Sequence, residues 1–390
     1  MNLAAVPAGL CLAAFLITPA HAGPGSTAGD SFLIGVGPRP VAFGEAFVGL
    51  ADDASSIAYN PAGLARLRRT EVQFSHNMLA EDVHQEWAVA AVPGPWSFAA
   101  AANLIFVKPF EVFNENDQAV GEISSQDASY HLALARLLGP LSLGVSGKYL
   151  TSRLDTHKAH TLAFDAGALL RLTDDAYIGI SALNMGGGTL RYIDQENELP
   201  RAFKAGASWT MLRRKSLGRA LTMIADATVP AYDDPFVAGG FELKLYDALA
   251  LRGGGRSRRD AGLGYSCGMG LSLTRSEESA FQIDFDYSFV DFGRLGGAHR
   301  AGITLRFGQR APDAAQSVAD MLDGSHRAPA PVRARRDRPE LWQNEPKPSA
   351  PAPAPARPEL QPSLKSKPKG PATPPPDESD LLRPLIYVNP

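Results

Sequence analysis

The sequence predicts an all-β protein: a transmembrane, antiparallel, up-and-down β-barrel of about 14 strands, with an N-terminal plug and a disordered Pro-rich C-terminal tail. Three observations support this prediction. The chain begins like an exported protein. Its middle alternates apolar and polar residues with period two, as half-buried strands do. Beyond the export signal, no run of about 18 apolar residues occurs, which excludes helical membrane spans. The predicted parts are a signal peptide (1–22), a plug or hatch (23–69), a barrel (70–307) and a tail (308–390).

The first residues have the pattern of a secretory signal peptide. The apolar run from Leu10 to Ile17 is too short to span a bilayer. Ala20-His21-Ala22 places small residues where signal peptidase reads them, so we expect the mature chain to begin at Gly23. Cys11 is then removed with the signal, and Cys267 has no partner for an intrachain disulfide.

Composition and motifs exclude several classes of function from the prediction. Charged residues make up 20% of the chain and the net charge is -3, so no strongly basic face for nucleic acid is expected. The sequence has no His-x-x-x-His or Cys-x-x-Cys pair that would hold a metal, and no cofactor is predicted. It also has no Gly-x-Ser-x-Gly nucleophile elbow, so we expect a protein that is not an enzyme.

The strand pattern is clearest near the end of the predicted barrel. Apolar Phe281, Phe285 and Phe289 alternate with polar Gln282 and Asp286. In a membrane barrel the apolar face meets lipid and the polar face lines the lumen. Turn signals divide the region into strands near 70–77, 86–92, 97–106, 126–137, 140–154, 158–172, 175–184, 200–212, 218–229, 236–245, 248–256, 262–273, 280–290 and 297–307. This gives 14 strands, with 12 or 16 as alternatives, and an even count places the start of the first strand and the end of the last strand on the periplasmic side.

Connections and flanking segments complete the prediction. Tight turns are expected at 138–140 and 173–175, and long extracellular loops at 107–125 and 185–199. The Gly-rich segment 23–69 does not alternate, which suggests a plug, because a barrel this wide needs filling unless it is an open pore. The tail contains 18 of the 31 Pro residues and has a basic stretch, so it is expected to be extended or disordered.

One stretch of the plug carries a family resemblance. Gly37 to Ala54 includes Ala-Asp-Asp-Ala, and Asn60-Pro61-Ala62-Gly63-Leu64 follows shortly after. This stretch resembles the N-terminal region of the PorV/PorQ family, within the long-chain fatty-acid transporter-like (FadL-like) outer-membrane barrels. The stretch before the last strand, 291–296, is similar to the end of the barrel in that family. The resemblance covers about 24–307 and leaves out the tail.

Two sets of candidate site residues follow. The first is the plug or hatch motif, in which Asn bonds to local backbone, Pro fixes its φ and Gly permits a left-handed residue. Its members are Asp52, Asp53, Asn60, Pro61 and Gly63. The two Asp residues are expected to cap a helix or to bind an Arg in the lumen. The second set is the charges on the polar strand face: Lys148, Asp165, Arg171, Lys204, Asp226, Glu242, Arg252, Asp284, Asp286 and Arg306. Such charges are expected to pair and anchor the plug, or alternatively to line a substrate path.

The resemblance implies a protein of the bacterial outer membrane and leaves two functions open. The first is passage or binding of a hydrophobic small molecule. The second is a PorV-like accessory role in protein secretion or surface attachment, with a secretion-system protein as partner. The polar lumen face disfavours a wide apolar tunnel, although the plug itself could carry the pocket. The other expected partners are outer-membrane lipid and, through a tail lying in the periplasm, a periplasmic protein or the cell wall.

Overall fold

A computed structural model describes residues 29–79, 82–186, 189–191, 196–214, 218–257, 264–274 and 280–308, with residues 318 and 322. The predicted signal peptide, 1–22, lies outside the described residues, as does nearly all of the predicted tail, 308–390. Within the described residues, no helix has the length and apolar character required to cross a membrane.

The dominant feature is a closed antiparallel barrel of 14 strands, which confirms the predicted fold class and strand number. Its strands are β1 Thr70–Met78, β2 Val83–Val92, β3 Ser97–Phe113, β4 Ala119–Leu138, β5 Leu141–Leu154, β6 His157–Arg171, β7 Ala176–Met185, β10 Ala202–Arg214, β11 Arg219–Pro230, β12 Phe236–Leu245, β13 Leu249–Arg256, β14 Tyr265–Ser272, β15 Phe281–Asp291 and β16 Gly297–Phe307. Each strand pairs with its neighbour, and β16 closes the barrel on β1 with Phe307 opposite Thr70. A separate two-stranded pair, β8 Leu190–Arg191 and β9 Glu196–Asn197, lies in the connection between β7 and β10.

Side chains along each strand alternate between the outside and the lumen because successive residues of a pleated strand point to opposite faces. In β5, Leu143 and Val145 are exposed on the outside, whereas Ser142 and Ser146 are buried inside. The outward face carries large apolar side chains around the whole barrel, with Phe98 58% exposed. In water such a surface would be strongly unfavourable, whereas it suits contact with lipid acyl chains.

The predicted connection at 107–125 is wrong. The strands β3 and β4 continue through most of it, and only residues 114–118 separate them. Pro109 lies at a shift in register between Val107 and Phe110. Pro has no backbone N–H for the ladder, so a bulge lets the strand continue past it.

The two ends of the barrel differ in what they carry. Residue 70 starts β1 and residue 307 ends β16 at the same end, because the two strands pair antiparallel. The connections 93–96, 139–140, 172–175, 215–218, 246–248 and 273–280 lie at this end. The longest connection, 186–201, lies at the opposite end together with the extended hairpin of β3 and β4.

The segment before β1 forms short helices instead of strands. These are a 3-10 helix Asp30–Leu33, the helices α1 (Pro38–Val41) and α2 (Ser56–Tyr59), and a second 3-10 helix Pro61–Arg66. Its apolar side chains form one buried core with inward-facing residues of the wall such as Trp87 and Ile224, and within it Phe47 packs edge-on against Tyr59 with 5.5 Å between ring centroids. We refer to residues 29–69 as the plug.

Candidate functional site

The plug lies inside the barrel, and glycines of the wall allow it to approach closely. A Cβ atom added to Gly240 would lie 2.8 Å from Phe43 Cα, and one added to Gly302 would lie 3.0 Å from Pro38 Cγ. Both distances are shorter than normal contacts, so no larger residue fits without movement. The wall glycines that contact the plug in this way come from β5, β6, β7, β10, β12, β13, β14 and β16: Gly144, Gly167, Gly179, Gly206, Gly240, Gly254, Gly268 and Gly302. The plug therefore fits closely against these strands.

The motif Asn-Pro-Ala-Gly begins the second 3-10 helix of the plug. The Asn60 side-chain oxygen accepts the N–H of Ala62 at 3.2 Å, and Pro61 occupies the first helical position. This is the usual arrangement of a helix N-terminus. The Asn60 amide also donates to the backbone oxygens of Val48 in the plug, at 3.1 Å, and Ala168 in β6, at 3.2 Å. Asn60 therefore connects two parts of the plug to the wall.

The expectation that Gly63 is left-handed is wrong. Gly63 lies within the 3-10 helix, and its φ is not in the left-handed region. Glycine is required there by space, because an added Cβ would lie 2.6 Å from the Cβ of Ala51. A short sequence motif indicates a change of direction, but it does not report which neighbour the backbone meets after folding.

The guanidinium group of Arg39 in the plug forms ion pairs with three carboxylates. Arg39 in α1 pairs with Asp52 at 2.6 Å, with Asp53 at 2.7 Å and with Glu242 of strand β12 at 3.1 Å. Its guanidinium also lies over the ring of Phe47, 5.6 Å from the centroid. Because Asp52 and Asp53 belong to the plug and Glu242 to the wall, this cluster holds the plug together and joins it to the barrel.

The charged groups of this cluster shift each other's pKa values. Burial opposes the charged form of Arg39, but the carboxylates of Asp52, Glu242 and Asp53 outweigh it and raise the pKa of Arg39 well above its ordinary value. Burial likewise opposes ionisation of Asp52, yet the neighbouring Arg39 guanidinium lowers the pKa of Asp52 below its ordinary value. The ion pairs therefore keep both groups charged.

The wall extends the cluster. Glu242 also pairs with Arg252 at 2.8 Å and with Lys244 at 3.4 Å, and Arg252 reaches Asp286 on β15. The remaining predicted lumen charges form separate contacts. Lys148 pairs with Asp165 at 2.7 Å, and Arg306 pairs with Asp284 and Glu71. Arg171 contacts Asp174 at 2.8 Å, and Lys204 lies 5.7 Å from the ring centroid of Tyr59.

Asp226 binds the plug through backbone. Its carboxylate accepts the N–H groups of Phe47 at 2.6 Å and Val48 at 2.7 Å. Near it, the Ser208 hydroxyl donates to the carbonyl oxygen of Gly49 at 2.8 Å. Strands β10 and β11 thus hold the middle of the plug by hydrogen bonds in addition to the ion pairs.

A cavity of about 40 Å³ lies between the plug and strands β2, β3, β4, β5, β7 and β10. Its apolar lining includes Leu33 and Ile34 of the plug and Leu150 of β5. Its polar lining includes Lys148 and Lys204. The buried indole N–H of Trp87, which also lines the cavity, has no hydrogen-bond partner within the described part of the chain. The cavity therefore combines apolar walls with hydrogen-bond donors, the ammonium groups of the two Lys residues and the carboxylate of Glu45.

Sequence reasoning did not select several of these residues. Arg39 lies between two Pro residues in an apolar segment, and an isolated charge in such a segment is the signal that could have identified it. Glu71 sits at a polar position of the alternating strand β1, so the same alternation could have identified it. Among the described residues, no group of three or more His, Cys, Asp or Glu side chains could hold a metal ion.

Comparison with known proteins gives a match to one family model. The model of an uncharacterised protein family (UPF0164) matches residues 13–153, which include the described plug and strands β1 to β4. A search of curated proteins found no match.

Solved structures match over most of the barrel. The toluene transporter TodX of Pseudomonas putida is 13% identical, with a TM-score of 0.50, and the match covers 70% of this chain and 98% of that one. The toluene transporter TbuX of Ralstonia pickettii is 11% identical, with a TM-score of 0.48, over 71% and 99% of the two chains. A Pseudomonas aeruginosa FadL homologue is 12% identical, with a TM-score of 0.42, over 68% and 97%. The likeness to TodX concerns the fold alone, a closed antiparallel β-barrel, which is the fold class expected from the sequence.

Proposed function

We propose that this protein lies in the bacterial outer membrane and binds or passes a hydrophobic small molecule. The observation that carries the proposal is the lining of the cavity between plug and wall, which combines apolar with hydrogen-bonding groups. At about 40 Å³ the cavity has to widen, by movement of the plug, to hold a ligand. Ligand pockets in proteins typically have mostly apolar walls with a few well-placed polar groups. The apolar outer surface and the TodX-like fold support a position in the membrane.

The plug supplies part of the lining of this cavity. An apolar ligand can therefore contact apolar side chains of the plug, although the lumen face of the strands is polar. Phe32, Leu33 and Ile34 line the cavity, whereas Phe43 and Phe47 are fully buried in the packing of the plug. The indole N–H of Trp87 and the ammonium of Lys204 suit a ligand that carries a hydrogen-bond acceptor or a negative charge on an apolar body.

The test uses the full-length protein purified in a non-ionic detergent. Heat-modifiable migration on a denaturing gel, from outer-membrane fractions, checks that the barrel is folded and correctly located. Native mass spectrometry then identifies any copurified molecule, and titrations with toluene and with octanoate compare an apolar ligand with one that carries a carboxylate. Saturable binding of either ligand is expected.

Matched variants decide whether the cavity is the site. Leu150→Trp fills it, since Leu150 is buried and lines it, and should weaken binding at least tenfold. Leu132→Trp makes the same change on the outer face, where Leu132 is 72% exposed, and should leave binding unchanged. Equal binding by both variants, or no saturable binding and no copurified molecule, would contradict the proposal.

A second candidate is a PorV-like accessory role in secretion or surface attachment. The resemblance of Asp52, Asp53, Asn60, Pro61 and Gly63 to the PorV/PorQ motif supports it. One structural observation favours it: ion pairs and close glycine contacts fix the plug on many sides, which suits a rigid platform. This role requires a surface for a protein partner. Crosslinking in cells followed by purification under denaturing conditions should then give a defined adduct with one exported protein.

A further inference from the structure

Strands β3 and β4 continue beyond the rim of the barrel as a two-stranded ribbon, residues 108–124, which we call the rim ribbon. The pairing of β3 with β2 reaches Val107, and the pairing of β4 with β5 reaches Ser125. Beyond these points the two strands pair with each other as far as Phe113 opposite Ala119. At about 3.4 Å per residue, the stretch 108–113 advances about 20 Å beyond its neighbours. The rim ribbon extends from the end of the barrel opposite to the one where β1 begins at Thr70 and β16 ends at Phe307.

The rim ribbon has two open edges and an ordered tip. In the described part of the chain, no strand pairs with the outer edges of 108–113 or 119–123. At the tip, Asn114 Oδ1 accepts the N–H groups of Asn116 at 2.9 Å and Gln118 at 3.0 Å. Open edges invite the addition of another strand, and proteins usually cover or block them. A lone two-stranded ribbon is also of marginal stability in water, so a third strand would stabilise it.

The faces of the rim ribbon have different chemistry. Phe110 lies opposite Ile123, whereas Glu111 lies opposite Glu122 on the other face. Phe110 is 53% exposed on the first face, whereas Phe113, two residues after Glu111 on the same strand, is 55% exposed on the second. Aromatic side chains held by an ordered backbone are the residue type that most often anchors a protein partner.

Charge indicates which partner fits. The rim ribbon contains four carboxylates, Glu111, Glu115, Asp117 and Glu122, and one cation, Lys108, which gives a net charge of -3 (one minus four). Within the described residues none of these carboxylates forms an ion pair. Like charges directly opposite each other, such as Glu111 and Glu122, destabilise a strand pair. A cationic side chain placed between them would relieve this repulsion.

We propose that the rim ribbon is a docking site for an extended, cationic segment of another protein. The segment adds as a strand to an open edge. Phe110 is the apolar anchor on one face, and on the other face the segment's Lys or Arg side chains lie beside Glu111 and Glu122, with Phe113 next to them. Strand addition uses backbone hydrogen bonds for affinity and alternate side chains for specificity. This site does not depend on the passage of a small molecule, and it supplies the protein contact that the second candidate function requires.

The test measures binding of labelled peptides to the full-length protein in non-ionic detergent by fluorescence anisotropy. The probe is a ten-residue peptide that alternates Lys and Val. Two comparison peptides alternate Glu and Val, or carry N-methyl groups on every backbone amide of the Lys-Val sequence, which removes the N–H donors of both strand edges. The Lys-Val peptide should bind saturably, while the Glu-Val and N-methylated peptides should bind at least tenfold more weakly. Equal binding of the N-methylated peptide would overturn strand addition.

Variants locate the site. Glu111→Lys with Glu122→Lys, and separately Phe110→Ser with Phe113→Ser, should each weaken binding of the Lys-Val peptide at least tenfold. The control, Asp233→Lys with Asp234→Lys, changes the net charge equally at the same end of the barrel and should leave binding within twofold. Equal weakening by the control would overturn the assignment to the rim ribbon. Heat-modifiable migration verifies folding of each variant. The ribbon variants should leave the binding of toluene and octanoate unchanged. The peptide-docking proposal and the small-molecule proposal can therefore be contradicted independently of each other.

Discussion

Arg39 of the plug and Glu242 of strand β12 form an ion pair, with 3.1 Å between Nε and Oε2, although 203 residues separate them in the chain. Glu242 is almost completely buried, and Arg39 also binds Asp52 and Asp53. This pair gives a residue of the short N-terminal segment a specific partner on the barrel wall. It explains how a segment with few regular hydrogen bonds is held in one orientation.

We expect Arg39→Met to loosen the plug more than Glu242→Gln does. Removing Arg39 leaves three carboxylates close together without their shared cation, whereas Glu242→Gln leaves Arg39 two carboxylates. Breaking a buried pair typically costs about 3–5 kcal/mol. Limited proteolysis and urea unfolding in lipid vesicles should show faster plug cleavage and a lower midpoint for Arg39→Met.

The control for this experiment is Arg136→Met, which removes an exposed Arg that lies 4.8 Å from the ring centroid of Trp96. It should change neither measurement appreciably. The double variant Arg39→Met with Glu242→Gln should show a coupling energy of about 0.5–3 kcal/mol, as expected for residues in contact. Additive effects of the two substitutions would show that the pair does not hold the plug to the wall.

Two glycines of the same strand should respond differently to alanine. In Gly144→Ala the new Cβ would lie 2.5 Å from the carbonyl oxygen of Pro61, so the plug must move. In Gly147→Ala the nearest atom is a ring carbon of Phe164 at 4.0 Å, an ordinary contact. We expect Gly144→Ala to destabilise the protein by about 1–3 kcal/mol, as overpacking does, and Gly147→Ala to have little effect. The unfolding midpoints of the two variants test this, and equal midpoints would argue against close seating of the plug.

The outward position of Phe285 and the inward position of Asp286 predict opposite tolerance to substitution. Phe285 is 45% exposed on the outer face, whereas Asp286 pairs with Arg252 in the lumen. Phe285→Arg should impair assembly, because a cation at the membrane midplane costs roughly 2–4 kcal/mol. Asp286→Asn should be milder, since Arg252 keeps its pair with Glu242. The yield of heat-modifiable barrel in outer-membrane fractions measures both, and similar yields would reverse the face assignment.

The tail is expected to emerge into the periplasm, because an even strand count brings the start of the first strand and the end of the last strand to the same rim of the barrel. Protease added to intact cells should leave the tail uncut, whereas permeabilised cells should lose it. Deletion of 311–390 should leave barrel assembly intact, since β16 ends at Phe307. It should also abolish any crosslink from the tail to the cell wall or to a periplasmic protein. Cleavage of the tail from outside would contradict this topology.

Several features of the fold could be predicted from the sequence because they depend on local patterns. Alternation of apolar and polar residues indicated the strand number and the face of each side chain, as Leu143 and Ser142 illustrate. The boundary of β3 could not be predicted in the same way. Pro109 normally ends a strand, and the bulge that carries β3 past it depends on pairing with β4, which is a contact between strands.

What the sequence determined by itself was the periodicity: the barrel, its even number of strands, and the position of a non-alternating segment before it. Periodicity is a property of neighbouring residues, and the pleat of a strand converts it directly into two faces. Only the tertiary structure decided which groups meet across the lumen. Arg39 reaches Glu242, Asp226 binds the backbone of Phe47, and Gly144 makes room for Pro61 only after the barrel closes around the plug. These contacts join residues far apart in the chain, so no local pattern encodes them, and closure of the barrel brings them within reach.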